Sequence, residues 1–250
     1  MPDKRKHRGK HPDDDCLFAA GQQDALRTAV AEYSWLLSRG YAIDSALKLV
    51  GDHHTLTARQ RTAVQRSSCS DQALTHRIAR MRGLNEATSQ LLGIDGYNLL
   101  ITVESALAGG LVLIGRDGCY RDLASVHGTY RKVTETTPAI ELIVDFLTEL
   151  AVPHIDWFLD RPVSNSGRLK GLLTQAIEAR AGQTRGSAAW NIELADSPDR
   201  ILCAYPHLVA TSDSAVLDRC TAWVNLAAHI IDRRIPTAWK VDLRADSAGL

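Results

Sequence analysis

Four aspartates in the second half of the chain, Asp95, Asp160, Asp199 and Asp213, stand where metal-assisted chemistry would need them. Asp95 opens Asp95-Gly96-Tyr97-Asn98 directly after the apolar run 90–94. Asp160 closes the apolar run 154–159, and Asp213 ends Val209-Ala210-Thr211-Ser212-Asp213. Each of the three sits where a buried strand gives way to a helix. Carboxylates brought to one edge repel unless a proton or cation intervenes. Hard oxygen ligands of this kind suit Mg²⁺ or Mn²⁺, which keep several waters and also bind phosphate. Such ions could polarise a phosphodiester and lower the pKa of an attacking water. Asp95, Asp160 and Asp213 are therefore the expected metal ligands. Asp199, in the helix before the last of these strands, adds a fourth carboxylate to complete the set or orient water. Asn98, Thr211 and Ser212 are expected to steady the acids by hydrogen bonding. Taken singly, each aspartate also reads as a helix cap or turn; three at successive strand ends are what point to a site.

A second constellation follows Asp160. Ser164-Asn165-Ser166-Gly167 opens a helix with small polar residues, which leaves backbone N–H groups able to bind an anion. Arg168 and Lys170 add positive charge beside them. The segment reads either as a phosphate-binding corner or as a simple helix cap. It is not a P-loop, because no Gly-Lys-Ser/Thr follows a spaced glycine. No Gly-x-Ser-x-Gly elbow supports a serine nucleophile.

Arginines form the third group. Arg59, Arg61, Arg66, Arg77, Arg80 and Arg82 lie between Leu56 and Arg82 with Asp71 as the only acid. Guanidinium forks suit phosphate, so a nucleic-acid face is one reading, with Arg59, Arg61 and Arg66 its leading contacts. The other reading pairs these arginines with the acidic remainder of the chain. Residues 1–90 carry 14 Lys/Arg against 10 Asp/Glu, a balance of +4, and residues 91–250 carry 15 against 19, a balance of −4. Arg121, Asp122, His127 and Arg131 make a smaller polar group, either an acid/base or phosphate contact or a solvated loop. His53-His54 has no third ligand nearby in sequence and reads as surface.

The elements that must position these groups fall into two sets. A basic arm, expected to be disordered, occupies 1–12. A helical module spans 13–84: the spacing of Leu26, Val30, Tyr33 and Leu37 predicts a helix over 22–38. A short helix is expected over 44–50, one capped by Thr57, and one capped by Ser70 or Asp71 and ending before Gly83. Over 88–232, short apolar runs alternate with helices, which implies a three-layer α/β/α parallel sheet. Strands are expected over 90–94, 111–114, 154–159, 188–194 and 208–210. Helices are expected over 97–108, 136–150, from Ser164 or Asn165 to Arg180, a short one opened by Pro198, and a continuous one from 214 to about 232. The tail 233–250 reads as irregular.

Two resemblances rest on these residues. Ile94-Asp95-Gly96-Tyr97-Asn98-Leu99-Leu100 resembles the first strand of the NYN branch of the PIN-like nuclease superfamily, where Asp-Gly-x-Asn is the hallmark. Val209 to Asp213 is similar to that superfamily's late strand ending in Thr-x-Asp, Phe158-Leu159-Asp160 resembles a further strand-end acid, and Asp199 stands near the acid preceding the late strand. The likeness covers roughly 88–232 and implies a compact α/β/α sheet whose clustered carboxylates bind Mg²⁺ or Mn²⁺ and cleave RNA. The Ser-Asn-Ser-Gly-Arg segment and the long insertion 115–136 depart from that pattern. The whole chain also resembles the prokaryotic domain-of-unknown-function 434 family, through Ser34 to Tyr41 and Pro162 to Lys170; that likeness implies no activity.

The expected function is thus a metal-dependent phosphodiesterase, foremost a ribonuclease. The alternatives are a non-catalytic RNA-binding or RNA-processing-associated module on a degenerate PIN-like fold, and an enzyme acting on a small phosphorylated metabolite. Composition is that of an ordinary soluble protein, with 45% apolar and 23% charged residues, zero net charge and no apolar run near a membrane span. The polar, basic beginning of the sequence does not read as a secretory signal. Cys16, Cys69, Cys119, Cys203 and Cys220 are odd in number and scattered, which excludes a zinc ribbon and suits a reducing cytoplasm. The expected partner is nucleic acid, RNA before DNA, and not a membrane.

Overall fold

The computed structural model describes residues 7–124, 130–180 and 188–244. Helices α1 (Asp14–Leu17), α2 (Ala20–Ser38), α3 (Ile43–His53), α4 (Ala58–Ser67) and α5 (Asp71–Arg80) form the N-terminal region. Their starts follow capping chemistry. Thr57 accepts from the Gln60 backbone N–H while the Gln60 side chain accepts from the Thr57 N–H, and the Ser70 hydroxyl accepts from the Ala73 N–H. Gly40, at φ 78°, supplies the left-handed residue that ends α2. Gly51, which reads as a stop, lies inside α3.

The rest of the chain runs β1 (Leu91–Asp95), α6 (Gly96–Leu107), β2 (Val112–Ile114), β3 (Tyr120–Asp122), α7 (Thr136–Glu149) and β4 (His154–Asp160). It continues through α8 (Ser166–Glu178), β5 (Ala189–Ala195), α9 (Pro198–Cys203), β6 (Leu208–Ala210), α10 (Ser214–Leu217), β7 (Ala222–Val224), α11 (Leu226–Arg234) and β8 (Lys240–Asp242). Five strands make an all-parallel sheet in the order β5-β4-β1-β6-β7. The chain moves outward from β1 to β4 and β5, then crosses back to lay β6 and β7 on the other side. The order therefore reverses between β1 and β6, and in open α/β sheets ligands bind at the carboxyl ends beside that switch point.

Alternation along the strands builds three layers. Trp157, Leu159, Ala210 and Val224 pack into the core under α6, α7 and α11, while Phe158, Val209 and Trp223 belong to a second cluster under α9 and α10. Trp157 and Trp223 are fully buried, one in each cluster. Met81, just past α5, bridges in parallel to Trp223, and the Arg82 N–H donates to the Trp223 carbonyl at 2.8 Å, so the polypeptide leaving α5 covers the β7 edge.

The helical region does not keep a core to itself. A small second sheet, β3-β2-β8, supplies Leu113, Leu123, Val241 and Leu243 to the cluster that holds Leu26, Val30, Tyr33, Ala63 and Val64. This changes three expectations. The run 111–114 is a strand of the small sheet and not of the large one, where it pairs antiparallel with β3 and parallel with β8. The tail expected to be irregular carries β8. The helix expected over 214–232 is broken by β7, whose three residues complete the sheet and are followed by an Asn225 cap for α11.

From His7 on, the segment expected to be a disordered arm is held to the fold. The Arg8 guanidinium donates to the fully buried Glu104 carboxylate and lies 5.1 Å from the Tyr130 ring centroid, and His7 meets Glu135 at 2.7 Å. Glu104 also accepts from Tyr130 and from Thr136 at 2.5 Å. A buried carboxylate needs this many donors to offset its lost hydration.

Candidate active site at the sheet switch point

Asp95 ends β1, and the next residue opens α6 without a connecting loop. Gly96 permits that turn, because a Cβ there would come within 2.2 Å of Trp157 Nε1 and 2.5 Å of the Phe158 carbonyl oxygen. On the far side of the switch point, β6 ends at Ala210 and Thr211-Ser212-Asp213 leads into α10. Thr211 Oγ1 donates to Asp95 Oδ2 at 2.8 Å and accepts from the Asp213 N–H at 3.0 Å. Ser212 donates to Asn98 Oδ1 through its hydroxyl, and through its N–H at 3.2 Å. The two strand ends are thus laced together by Asn98, Thr211 and Ser212. Asn98 braces Asp95 through its backbone while its side-chain oxygen binds Ser212, and Thr211 is the side chain that braces the acid. Asp213 Oδ1 accepts from the N–H groups of Ala215 and Val216, so this carboxylate also caps α10.

The acids are linked electrostatically through Asp199, which feels both Asp213 and Asp160, while Asp95 feels Asp213 and Asp199. Burial pushes the Asp95 carboxyl up to about 7; the Thr211 hydroxyl opposes the rise, and the charges of Asp213 and Asp199 add to it. Asp199, on α9, is raised by burial and then by Asp213 and Asp160. Asp160 is raised by burial. Among the described residues, however, no three of these carboxylates bring ligand oxygens all within 4.8 Å of one another. The site gathers unneutralised acids at one edge without closing them into a cage. Two carboxylates with water filling the remaining positions are enough for Mg²⁺, so the donor set fits that class of ion.

The helix expected to hold phosphate starts on the same edge, because β4 neighbours β1. Asn165 precedes α8 at φ 70° and makes no side-chain cap; its amide instead donates to the Tyr130 carbonyl at 3.0 Å. Ser166 is buried and donates to the Arg161 carbonyl at 3.3 Å. Lys170 donates to the Ile192 carbonyl at 2.6 Å. Ser164, Gly167 and Arg168 remain exposed at the helix start. The corner therefore keeps exposed polar groups and Arg168, while Ser166 and Lys170 are committed to the fold.

Most of the arginines expected to face nucleic acid are engaged internally. Arg59 pairs with the buried Asp14 and Arg61 with Asp52. Arg66 donates to the Asp122 carbonyl at 2.8 Å. Arg77 meets Asp117 at 2.6 Å and Asp218 at 2.7 Å, and Arg80 reaches the Asp218 carbonyl at 3.4 Å. These contacts favour the pairing reading for Arg66, Arg77 and Arg80, which dock the helical region onto the α/β domain, whereas Arg59 and Arg61 pair within the helical region itself. Asp117 is central, since Arg121 also binds it at 2.7 and 2.8 Å, and burial is outweighed by the two guanidiniums that hold its carboxyl far below the ordinary range. Of the polar group around Arg121, Asp122 accepts from Thr102 at 3.1 Å and from the Ala124 N–H at 2.6 Å; His127 lies outside the described residues.

The docked helices leave a cleft of about 530 Å³ against the switch point, with Asn98, Ser212 and Asp213 on the α/β side and Tyr41, Ile43 and Arg66 on the helical side. No sequence motif announced it, because its walls come from segments far apart in the chain. Glu32 likewise supplies a group that local spacing did not show: it accepts His54 Nε2 at 2.8 Å, and ligand atoms of Glu32, His53 and His54 lie within 4.8 Å of one another. No helix among the described residues is long and apolar enough to cross a membrane.

Comparison with known proteins divides the chain at the same place. A family model described as a domain of unknown function, DUF5616, matches residues 84–229, and one described as a protein of unknown function, DUF434, matches residues 25–80. The DUF434 likeness expected of the whole chain is thus matched over the helical region. The chain is similar to an uncharacterized protein of Methanocaldococcus jannaschii, 27% identical over 195 residues, which covers 77% of this chain and 89% of that one. No solved structure matches.

Proposed function

The chain belongs to the DUF5616 family, and from that premise we propose that its α/β domain is a metal-dependent phosphodiesterase of the PIN-like kind that cleaves RNA. One observation carries the reading: Asp95 and Asp213 stand on either side of the sheet's switch point, joined through Thr211, with the Asp95 carboxyl raised to about 7. Holding further carboxylates beside the buried Asp95 is costly, and a divalent cation removes that cost more fully than a shared proton.

In this proposal Asp95 and Asp213 hold Mg²⁺ or Mn²⁺, with Asp160 at the neighbouring strand end. When bound, such an ion polarises the phosphodiester and lowers the pKa of water. Thr211 fixes the Asp95 carboxylate, and Asn98 holds Ser212 so that Asp213 keeps its place. Asp199, raised by burial and by its acidic neighbours, is a better proton acceptor than an ordinary carboxylate and takes the proton of the attacking water. The exposed start of α8, with Ser164, Gly167 and Arg168, receives a phosphate.

Incubating labelled single-stranded RNA with the protein in Mn²⁺, in Mg²⁺ and in EDTA tests the proposal. Cleavage is expected with either ion and lost in Asp95→Asn. A second reading, an RNA-binding module that does not cleave, is favoured by the wide spacing of the acids, no three of which close to within 4.8 Å. RNA binding with a steep salt dependence and no cleavage in Mn²⁺ would select it. A small phosphorylated metabolite as substrate would be indicated by phosphate release from such compounds without RNA affinity.

A further inference from the structure

We infer that the cleft between the helical region and the sheet edge is a binding site for an unpaired nucleotide of single-stranded RNA, in which Tyr41 stacks on the base and Arg66 attends the backbone. The inference deepens the proposed function and rests on it for the identity of the strand. Its support is structural and comes from the helical side of the cleft.

Tyr41 and Ile43 occupy the turn from α2 into α3 and are 54% and 57% exposed, although both line the cleft. Large apolar side chains left open at the mouth of a polar cleft mark a binding surface. The turn that carries them is fixed. Gly40 adopts φ 78°, the Tyr41 N–H donates to the Leu36 carbonyl at 3.2 Å, and the buried Tyr33 donates its hydroxyl to the Ile43 carbonyl at 3.4 Å. The backbone is held and the Tyr41 ring is exposed, with no aromatic or cationic group stacked on it among the described residues, so a base meets an aromatic face that needs little ordering.

Arg66 is anchored by Nη1 to the Asp122 carbonyl and is 36% exposed along its side chain. Its Nε and Nη2 donate to no acceptor among the described residues, which leaves one edge of the guanidinium fork for a phosphate. Asn98, Ser212 and Asp213, the residues that brace or form the acidic site, also line the cleft. A volume of about 530 Å³ is that of a small-ligand pocket and not of a duplex groove. Inside a duplex the faces of each base are covered by its stacked neighbours, so a single strand is what offers Tyr41 an open base face, and stacking of this kind accepts any base. The helical region thereby gains a role its paired arginines do not provide: it is the second wall of the substrate site.

Fluorescence anisotropy of a labelled single-stranded RNA oligonucleotide on the full chain in EDTA tests the inference without depending on cleavage. Tyr41→Ala is expected to weaken binding about tenfold and Tyr41→Phe to leave it unchanged, since the ring and not the hydroxyl does the stacking. A duplex of the same sequence is expected to bind more weakly than the single strand. Wild-type affinity in Tyr41→Ala, a Phe variant as impaired as the Ala variant, or no binding by the wild-type protein would each overturn the inference. Its failure is distinguishable from failure of the nuclease reading. Mn²⁺-dependent cleavage that is indifferent to Tyr41→Ala sinks the cleft alone. Tyr41-dependent binding with no cleavage under any metal sinks the nuclease alone.

Discussion

Thr211 Oγ1 lies 2.8 Å from Asp95 Oδ2, a side-chain hydrogen bond between the paired strands β1 and β6 that flank the sheet's switch point. The same hydroxyl accepts the Asp213 N–H at 3.0 Å, so one side chain sets the positions of both acids. Thr211→Val keeps the shape and removes both contacts. It leaves a buried carboxyl short of a donor, at a cost of about 1–2 kcal/mol. The expected outcome is a lower denaturation midpoint, together with a loss of RNA cleavage larger than the loss of folded protein. Equal cleavage per folded molecule in Thr211→Val would show that the hydroxyl positions nothing that matters to the reaction.

Gly96 gives a sharper steric test. A Cβ at this position would meet Trp157 Nε1 and the Phe158 carbonyl, one of them backbone that cannot swing aside. Gly96→Ala must therefore push α6 away from β4 or strain the turn, which costs about 1–3 kcal/mol. Thermal denaturation of the variant checks this, and an unchanged midpoint would mean that the close approach relaxes without consequence.

The Asp95 to Asn98 stretch was legible because its determinants are local: an apolar strand, an acid and a glycine in direct succession. The parallel sheet could be read for a similar reason, from buried runs alternating with capped helices. β7 could not. It has only three residues, Ala222, Trp223 and Val224, is covered on both faces, and carries no alternation to separate it from the helices around it. β8 was missed because what makes it a strand is pairing with Val112 to Ile114, more than a hundred residues away. The arginine-rich helices left two readings open for the same reason. Their basic character is visible locally, but Asp117 and Asp218, which engage Arg77, arrive only with the tertiary fold. The wall formed by Tyr41 and Arg66 opposite Asp213 has no local signature at all.

Arg77, Asp117 and Arg121 form a nearly solvent-free cluster, their side chains 3%, 2% and 7% exposed. Removing the acid leaves two buried guanidiniums without their common partner. Asp117→Asn is expected to destabilise the fold by about 3–5 kcal/mol. The Asp117 carboxyl is depressed in the folded state, so its contribution is fully present above the unfolded carboxylate range, declines as pH falls below that range, and is gone only once pH passes the depressed folded value. The gap between wild type and variant in denaturant titrations should be narrower at pH 3 than at pH 7. A gap of the same size at both would assign the loss to packing and not to charge.

Arg8 and Glu104 carry the corresponding prediction for the start of the chain. Glu104 is fully buried, and Arg8 is its cationic partner. Arg8→Ala removes that charge while Tyr130 and Thr136 still donate. Destabilisation of about 3 kcal/mol is expected, with Glu104→Gln in the Arg8→Ala background restoring part of it because no uncompensated charge then remains. Additive losses in the double variant would argue that Arg8 acts through its contact with the Tyr130 ring.

Asp95 links stability, pH and metal in one measurement. Its folded-state carboxyl sits at about 7, well above the unfolded value near 3.9. The folded protein therefore holds this proton where the unfolded chain has released it. The contribution is fully present below about pH 4 and is lost as pH rises through 7. Ionising the buried group costs at most about 4 kcal/mol on this scale. Asp95→Asn, which cannot ionise, is expected to raise the denaturation midpoint at pH 8 and to raise it less at pH 5. A divalent cation replaces the proton, so Mn²⁺ should stabilise wild type more at pH 8 than at pH 5, where it must first displace that proton. The gain should vanish in Asp95→Asn. If Mn²⁺ stabilises the variant as much as the wild type at pH 8, the ion binds elsewhere and Asp95 is only a buried acid.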